Sequence, residues 1–192
     1  MEKKVIMPKK IYLVFILIFL LLFYATNLIS QELNQNVIEV DLNGTGDYES
    51  IQDGIYNSSD GDLVLVHPGT YYENVNFYSR NITLASKFHT TGDESYIDST
   101  IIDGNESGGC IALYSGEDNC RLIGFTLQNG SGVYDGYSTY GGGIYTNNYS
   151  SLSVEFCNII NNYAAVGGGI FSNECPSLNI IGTNIIGNHA NT

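Results

Sequence analysis

The sequence predicts an all-β fold, a parallel β-helix (solenoid) in which short strands coil around one apolar core. Three observations predict it. Residues 141–166 and 167–192 are tandem copies of one 26-residue unit, GGGIYTNNYSSLSVEFCNIINNYAAV and GGGIFSNECPSLNIIGTNIIGNHANT, aligned without a gap and identical at twelve positions. A repeat period between about 20 and 50 residues marks a solenoid. Within the first copy Leu152, Val154 and Phe156 alternate with Ser153 and Glu155, the period of a strand with one face turned inward. The copies also repeat asparagines, Asn158 with Asn184 and Asn162 with Asn188. Stacked coils would align these amides into hydrogen-bonded ladders. Stacking at about 4.8 Å also sets Leu152 on Leu178, Val154 on Ile180 and Ile144 on Ile170. A leucine-rich repeat or a calcium β-roll fits less well: the leucine spacing of the first and the aspartate behind the glycines of the second are both missing.

The first segment stands apart from that fold. Lys3, Lys4, Lys9 and Lys10 precede an uncharged apolar run, Ile11–Ala25, the layout of a secretory signal peptide over residues 1–30. The rival is an uncleaved anchor, since residues 11–29 approach the length that crosses a bilayer. Either way the rest of the chain, with its β-helix domain over residues 37–192, is expected to be exported: secreted or at the cell surface, extracellular or on an outer membrane.

Along that domain, Val37–Val40 reads as a strand and residues 41–47 as a turn cluster. Tyr48–Tyr56 sets Ile51 and Ile55 on one face of a short helix, with Asp47 as its N-cap. Leu63–Val66 (LVLV) is a strand buried on both faces. Residues 67–70 form a turn, and Tyr71–Phe77 resumes as a strand. Asn81–Ser86 and Ser99–Asp103 are the next strands, on either side of a polar excursion around residues 90–95. Ile111–Tyr114 and Arg121–Leu127 follow, with Gly108-Gly109-Cys110-Ile111 standing in for GGGI and Gly124 matching Gly182. Ser131–Tyr140 (SGVYDGYSTY) is an insertion ahead of the two clean repeats.

The order GTGDYESIQDGI, DGDLVLVHPGTYYENVNF, NITLAS and STIIDGN resembles the opening of right-handed parallel β-helix proteins of the pectin lyase-like superfamily. The helix with its Ile51-Gln52 pair matches the superfamily's capping helix, and Gly61 to Tyr71 its "GD-x-V-x-V-x-PG-x-Y" stretch. The resemblance covers residues 37–105 and implies a right-handed β-helix with a short N-terminal capping helix. For function it implies little, because lyases, esterases, adhesins and surface proteins share this opening. The alternation of GGGI with Ile159 to Asn162 and Ile185 to Asn188 is also similar to the GGA-I and F-x-x-N repeats of the polymorphic outer membrane protein family. Gly replaces Ala and Ile replaces Phe here. That resemblance implies surface exposure and adhesion.

Charge narrows the partners. The chain carries a net −13, and four of its seven basic residues lie before residue 31, leaving Arg80, Lys87 and Arg121 against 19 carboxylates. A nucleic-acid partner is excluded by the missing cations, and an anionic polysaccharide would need bridging cations. Membrane contact is expected only through an uncleaved N-terminal segment.

No catalytic set emerges. Lyases that the fold resembles need a Lys or Arg base, and beyond Gly104 the single basic residue is Arg121, expected to point outward as a surface residue. Glu155 and Glu174 do not align between the repeats and read as lone surface acids. The acidic turns Asp60–Asp62, Asp93–Glu94 and Glu117–Asp118 offer oxygens to calcium, but aspartate in turns is expected anyway, so no cofactor is assigned and calcium is the minor reading. His67, His89 and His189 share no motif and read as bland turn residues. Of Cys110, Cys120, Cys157 and Cys175, Cys120 falls at an inward position and suits a free thiol; Cys110–Cys120 is the one bridge worth testing. Six Asn-x-Ser/Thr sequons begin at Asn43, Asn57, Asn81, Asn105, Asn129 and Asn148.

The insertion is the leading site. Tyr134, Tyr137 and Tyr140 come three apart, with Asp135 among glycines. Loops on a rigid scaffold carry binding, and exposed tyrosines stack on sugars while their hydroxyls hydrogen-bond. The competing reading folds these rings back as packing. The expected function is a surface or secreted binder of polysaccharide or cell-surface glycan, adhesin-like and non-catalytic in this stretch. The alternative is an extracellular polysaccharide-degrading enzyme, pectate lyase-like or pectinesterase-like, whose catalytic coils lie beyond residue 192. The second repeat stops in phase for a third GGGI, with Leu178, Ile180 and Ile185 uncapped, so a fragment of a longer protein or end-to-end self-association is expected.

Overall fold

A computed structural model of the chain describes residues 14–24 and 35–191. The chain divides into two units, Met1–Gln35 and Asn36–Thr192. In the first, residues 14–24 form a helix, α1, with exposed apolar side chains. Among the described residues no helix is long and apolar enough to cross a membrane. Most of the expected signal segment lies outside the described residues.

The second unit is a parallel β-helix. Sheet A stacks β1 (Val37–Val40), β2 (Leu63–Val66), β5 (Thr83–Ser86), β8 (Cys120–Ile123), β13 (Leu152–Glu155) and β17 (Leu178–Ile181). Sheet B stacks β3 (Gly69–Tyr72), β6 (Thr100–Asp103), β9 (Thr126–Gln128), β14 (Asn158–Ile160) and β18 (Asn184–Ile186). Sheet C stacks β4 (Val75–Asn76), β7 (Ile111–Leu113), β12 (Ile144–Thr146) and β16 (Ile170–Ser172). In each of the four complete coils among the described residues the chain runs from A to B to C, whereas the first strand, β1, leads into a helix instead. Every pairing within these sheets is parallel, as is that of the short corner strands β15 (Tyr163–Ala164) and β19 (His189–Ala190).

The tandem repeat is one coil on the next. Leu152 pairs with Leu178, Val154 with Ile180, Ile144 with Ile170 and Asn158 with Asn184. The inward column Ile38, Val64, Leu84, Leu122, Val154, Ile180 runs the length of sheet A. Its members from Val64 to Val154 have no exposed surface, and each such side chain contributes roughly 1.5–3 kcal/mol of burial. Cys120 occupies the column of Leu152, as its position implied. All four cysteines are free, so the Cys110–Cys120 bridge is not formed. Burial pushes the thiols of Cys110, Cys120 and Cys157 up to about 12, which keeps them protonated and unreactive.

The asparagine ladders form. Asn184 Nδ2 donates to Asn158 Oδ1 at 2.9 Å. Asn162, buried at the corner between sheets B and C, receives the Gly130 amide on Oδ1 at 2.8 Å and donates Nδ2 to the Leu127 carbonyl at 3.0 Å and to Asn188 Oδ1 at 3.0 Å. Such ladders satisfy corner backbone groups that the sheets leave unpaired.

Two departures lengthen the coils. Register advances 26 residues from Val154 to Ile180, but 38 from Leu84 to Leu122 and 32 from Leu122 to Val154. The first excess is the polar excursion, which forms α3 (Phe88–Thr91) and α4 (Ser95–Ser99); Ser99 belongs to α4, and β6 starts at Thr100. Phe88 packs on the outward side chains Leu63, Leu65, Ala85 and Ile123, so the LVLV strand is indeed covered on both faces. The second excess is the 131–140 insertion.

The N-terminal end is closed by α2 (Ile51–Tyr56), which buries Ile51 and Ile55. Its N-cap is Ser50, whose Oγ accepts the Asp53 amide at 3.1 Å, and not Asp47, whose carboxylate instead accepts the Glu39 amide at 2.9 Å. Gly54 is required by contact: a Cβ there would stand 2.8 Å from Val40 Cγ2. The Gln52 amide pairs with the Asn76 backbone in both directions, at 2.9 and 2.8 Å, taking the place of a preceding strand beside β4. Glu73 accepts the Ile51 and Gln52 amides, each at 2.9 Å. Glu73 and Asn74 also make a corner, so the expected strand 71–77 is divided into β3 and β4.

Candidate functional site

The outer face of sheet C carries a column in register: Asn76, Ala112, Tyr145, Phe171. Alternation along IYT and IFS turns Ile144 and Ile170 inward and sends Tyr145 and Phe171 out. Their rings stack at 5.6 Å with 7° between planes. Tyr114, just past β7, meets Tyr145 edge-on at 6.2 Å. Asn147 donates Nδ2 to the Tyr145 hydroxyl at 2.8 Å, and Asn173, one coil on, donates Nδ2 to Asn147 Oδ1 at 3.2 Å. Asn148 Nδ2 reaches the Tyr114 carbonyl at 3.0 Å. Toward α2 the stripe continues with Tyr56 and Tyr78, stacked at 5.0 Å.

The insertion stands beside this face as an antiparallel hairpin, β10 (Val133–Tyr134) with β11 (Thr139–Tyr140). Its turn follows from Asp135-Gly136. Gly136 takes φ +101°, a conformation side chains disfavour. The Asp135 carboxylate accepts the Tyr137 amide at 2.9 Å and the Ser138 amide at 3.0 Å. Those bonds, the one from Ser138 first, hold the Asp135 carboxyl below its ordinary value.

Two hollows open between hairpin and sheet. One, of about 280 Å³, is lined by Asn74, Asn76, Tyr78 and the Gly108-Gly109 corner; the other, of about 540 Å³, by Tyr145, Asn147, Asn148, Asn173, Asp135 and Glu174. Tyr114, Val133 and Tyr134 border both.

The four predicted site residues therefore divide. Tyr134 lines both hollows, is 68 % exposed, and donates its hydroxyl to the Gly136 carbonyl at 2.8 Å. Tyr137 is 95 % exposed at the hairpin tip. Tyr140 folds back as packing on Phe171, ring to ring at 4.8 Å. Asp135 is engaged in its own turn while edging the larger hollow. Tyr114, Tyr145, Asn147 and Asn173 complete the groove and are not among the residues that the sequence reading singles out. A signal exists for three of them, since Tyr145 to Phe171 and Asn147 to Asn173 recur at outward places in the repeat, and none for Tyr114, which precedes it.

Elsewhere polar side chains are engaged in the scaffold. Arg121 does point outward, and its guanidinium grips Glu155 at 2.9 and 2.8 Å. Glu155 is therefore not a lone surface acid. His67 is not a bland turn residue either, because its ring pairs with Glu39, which also takes Lys87 Nζ at 3.1 Å. His89 lies close enough to this face that burial, then Arg121, lowers its basicity. Glu117, fully buried, accepts the Ser79 amide at 3.0 Å, the Ser115 amide at 2.8 Å and the Ser150 hydroxyl at 2.7 Å. Among the described residues no group of three or more His, Cys, Asp or Glu is placed to hold a metal ion. Asn105, Asn129 and Asn148 take φ of 51°, 54° and 58°, where asparagine is favoured over most residues; turn geometry accounts for those three sequon asparagines.

Comparison of the chain with family models, curated proteins and solved structures finds no match in any of the three.

Proposed function

We propose that the protein is a secreted or cell-surface right-handed β-helix that binds carbohydrate on the sheet C groove and performs no catalysis in this stretch. One observation carries the reading. The exposed rings of Tyr78, Tyr114 and Tyr134 and several side-chain amides line a groove that crosses several coils, beside a projecting hairpin and with Tyr145 buried at its floor. Aromatic faces stack on the apolar faces of sugars, and amides exchange hydrogen bonds with their hydroxyls. The helix-capped opening, with Gln52 closing the edge of β4, supports placing the chain with the pectin lyase-like β-helices. The GGGI repeats support an adhesin-like role similar to that of the polymorphic outer membrane proteins.

The test is affinity electrophoresis through gels containing single polysaccharides, with a parallel assay for reducing ends and unsaturated uronides. Retardation by at least one polysaccharide, lost in the Tyr114→Ala/Tyr134→Ala variant, is expected. Free migration through every gel would reject the reading, and turnover would replace it with the degrading-enzyme alternative.

A further inference from the structure

We infer that the groove takes a neutral glycan chain lying along the solenoid axis, occupying both hollows at once with Tyr114 at their junction. This rests on the reading of the groove as a carbohydrate site and adds ligand charge, direction and length.

Charge comes first. Among the described residues no Lys, Arg or His lines either hollow, whereas Asp135 and Glu174 both border the larger one. Asp135 is held ionised by its turn. Arg80, just past Tyr78, spends its guanidinium on the Tyr56 carbonyl at 3.4 Å. A uronate or sulfated chain would meet two carboxylates and no compensating cation, on an exported domain that is acidic throughout. Specificity of this kind arises from the repulsive element as much as from the attractive one.

Direction comes from the ladder. Asn147 and Asn173 occupy equivalent places on successive coils and are joined side chain to side chain. Successive strands are about 4.8 Å apart, close to the advance of one sugar unit in an extended chain. Tyr145 and Phe171, paired in register and stacked beneath, hold the two amides at that interval, and of the two rings only Tyr145 reaches the larger hollow. A chain running along the axis thus meets a chemically similar place at each step, while a chain running across it does not. Length follows from volume. The hollows, about 280 and 540 Å³, together fall in the range of about 300–1,000 Å³ typical of ligand clefts, and their common border at Tyr114 and Tyr134 makes one ligand in both sterically continuous.

The experiment is isothermal titration of the folded protein with cellotetraose, xylotetraose, mannotetraose, tetragalacturonate and a glucosamine tetramer, in 0.05 and 0.5 M NaCl. At least one neutral tetrasaccharide is expected to bind, with less than two-fold change between the salts and at least ten-fold more tightly than its disaccharide. Tyr114→Ala should weaken it at least ten-fold with unchanged circular dichroism. The exposed Tyr134→Ala should weaken it as well, which separates lost contact from lost folding. Binding of only the uronate or only the amine, or affinity that collapses with salt, overturns the neutral-ligand inference and leaves the groove reading standing. A neutral ligand that binds equally as a disaccharide, or that ignores both substitutions, overturns the two-hollow placement. Silence from all five removes the groove reading itself.

Discussion

Glu117 has no exposed surface, and its carboxylate accepts from Ser79, Ser115 and Ser150, which follow β4, β7 and β12 on three successive coils. Its own carbonyl accepts the Ser151 amide at 2.7 Å. One side chain therefore ties three corners together. Glu117→Ala strands three donors, each costing about 1–3 kcal/mol when left unpaired, so a loss of roughly 4 kcal/mol is expected by urea denaturation. That is a large part of the about 5–15 kcal/mol that holds a domain folded. Glu117→Gln should recover part of it, and a loss under about 1 kcal/mol for the alanine variant would show that water reaches the corner. Nothing in the local sequence SGEDN distinguishes Glu117 from Asp118, which is exposed. The two differ through partners 33 to 38 residues away, and long-range corner contacts leave no local pattern. Gln52 was legible as half of a motif, but its pairing with the Asn76 backbone was not.

At the level of elements, the strand ladder and its register were legible because the repeat is gapless and a strand's side chains alternate strictly. The helix cap and the hairpin were not, since Ser50 and Asp47 are both acceptable caps and a Tyr-Asp-Gly loop has no period. Ion pairs between strands give a pH prediction. The Arg121 hydrogen bonds lower the Glu155 carboxyl from its ordinary 4.5, and the His67 bond lowers that of Glu39. A depressed acid contributes stability in full above its unfolded value and loses it as pH falls through the folded one. Glu73, raised by burial, acts in the opposite sense. With Arg121 side chain 43 % and Glu155 14 % exposed, screening limits the pair to about 1 kcal/mol. The Tm gap between the parent and Arg121→Ala should therefore be open at pH 6 and close below pH 4; a gap independent of pH would remove the pair from the account. The hairpin gives a second test. Asp135→Ala deletes the acceptor for the Tyr137 and Ser138 amides. Hydrogen exchange across residues 133–140 should quicken while the coil strands keep their protection. Equal protection in the hairpin would mean the turn is held by Gly136 and the Tyr134 hydroxyl alone.

At the scale of the molecule, each coil is stable only against its neighbours, and the exposure of its residues depends on what stacks above and below. The β17–β18 coil leaves the inward-column residues Ile180 and Ile185 each 45 % exposed, although their partners Val154 and Ile159 one coil earlier are fully buried. It also leaves parallel strand edges on which another strand can pair. Opposing this, residues 31–192 carry 19 carboxylates against three cations, and like-charged molecules repel over a Debye length of about 10 Å at 0.1 M salt and about 3 Å at 1 M. The two effects differ in their salt dependence, since burial of isoleucine is not screened. A polypeptide of residues 31–192 is therefore expected to self-associate end to end, and more in 0.5 M than in 0.05 M NaCl. Sedimentation velocity measures this directly. Ile180→Lys with Ile185→Lys, at positions already open to water on that coil, should leave a monomer at both salts. A parent polypeptide that stays monomeric at 0.5 M NaCl, or associates less there than at 0.05 M, would show that this edge does not drive association.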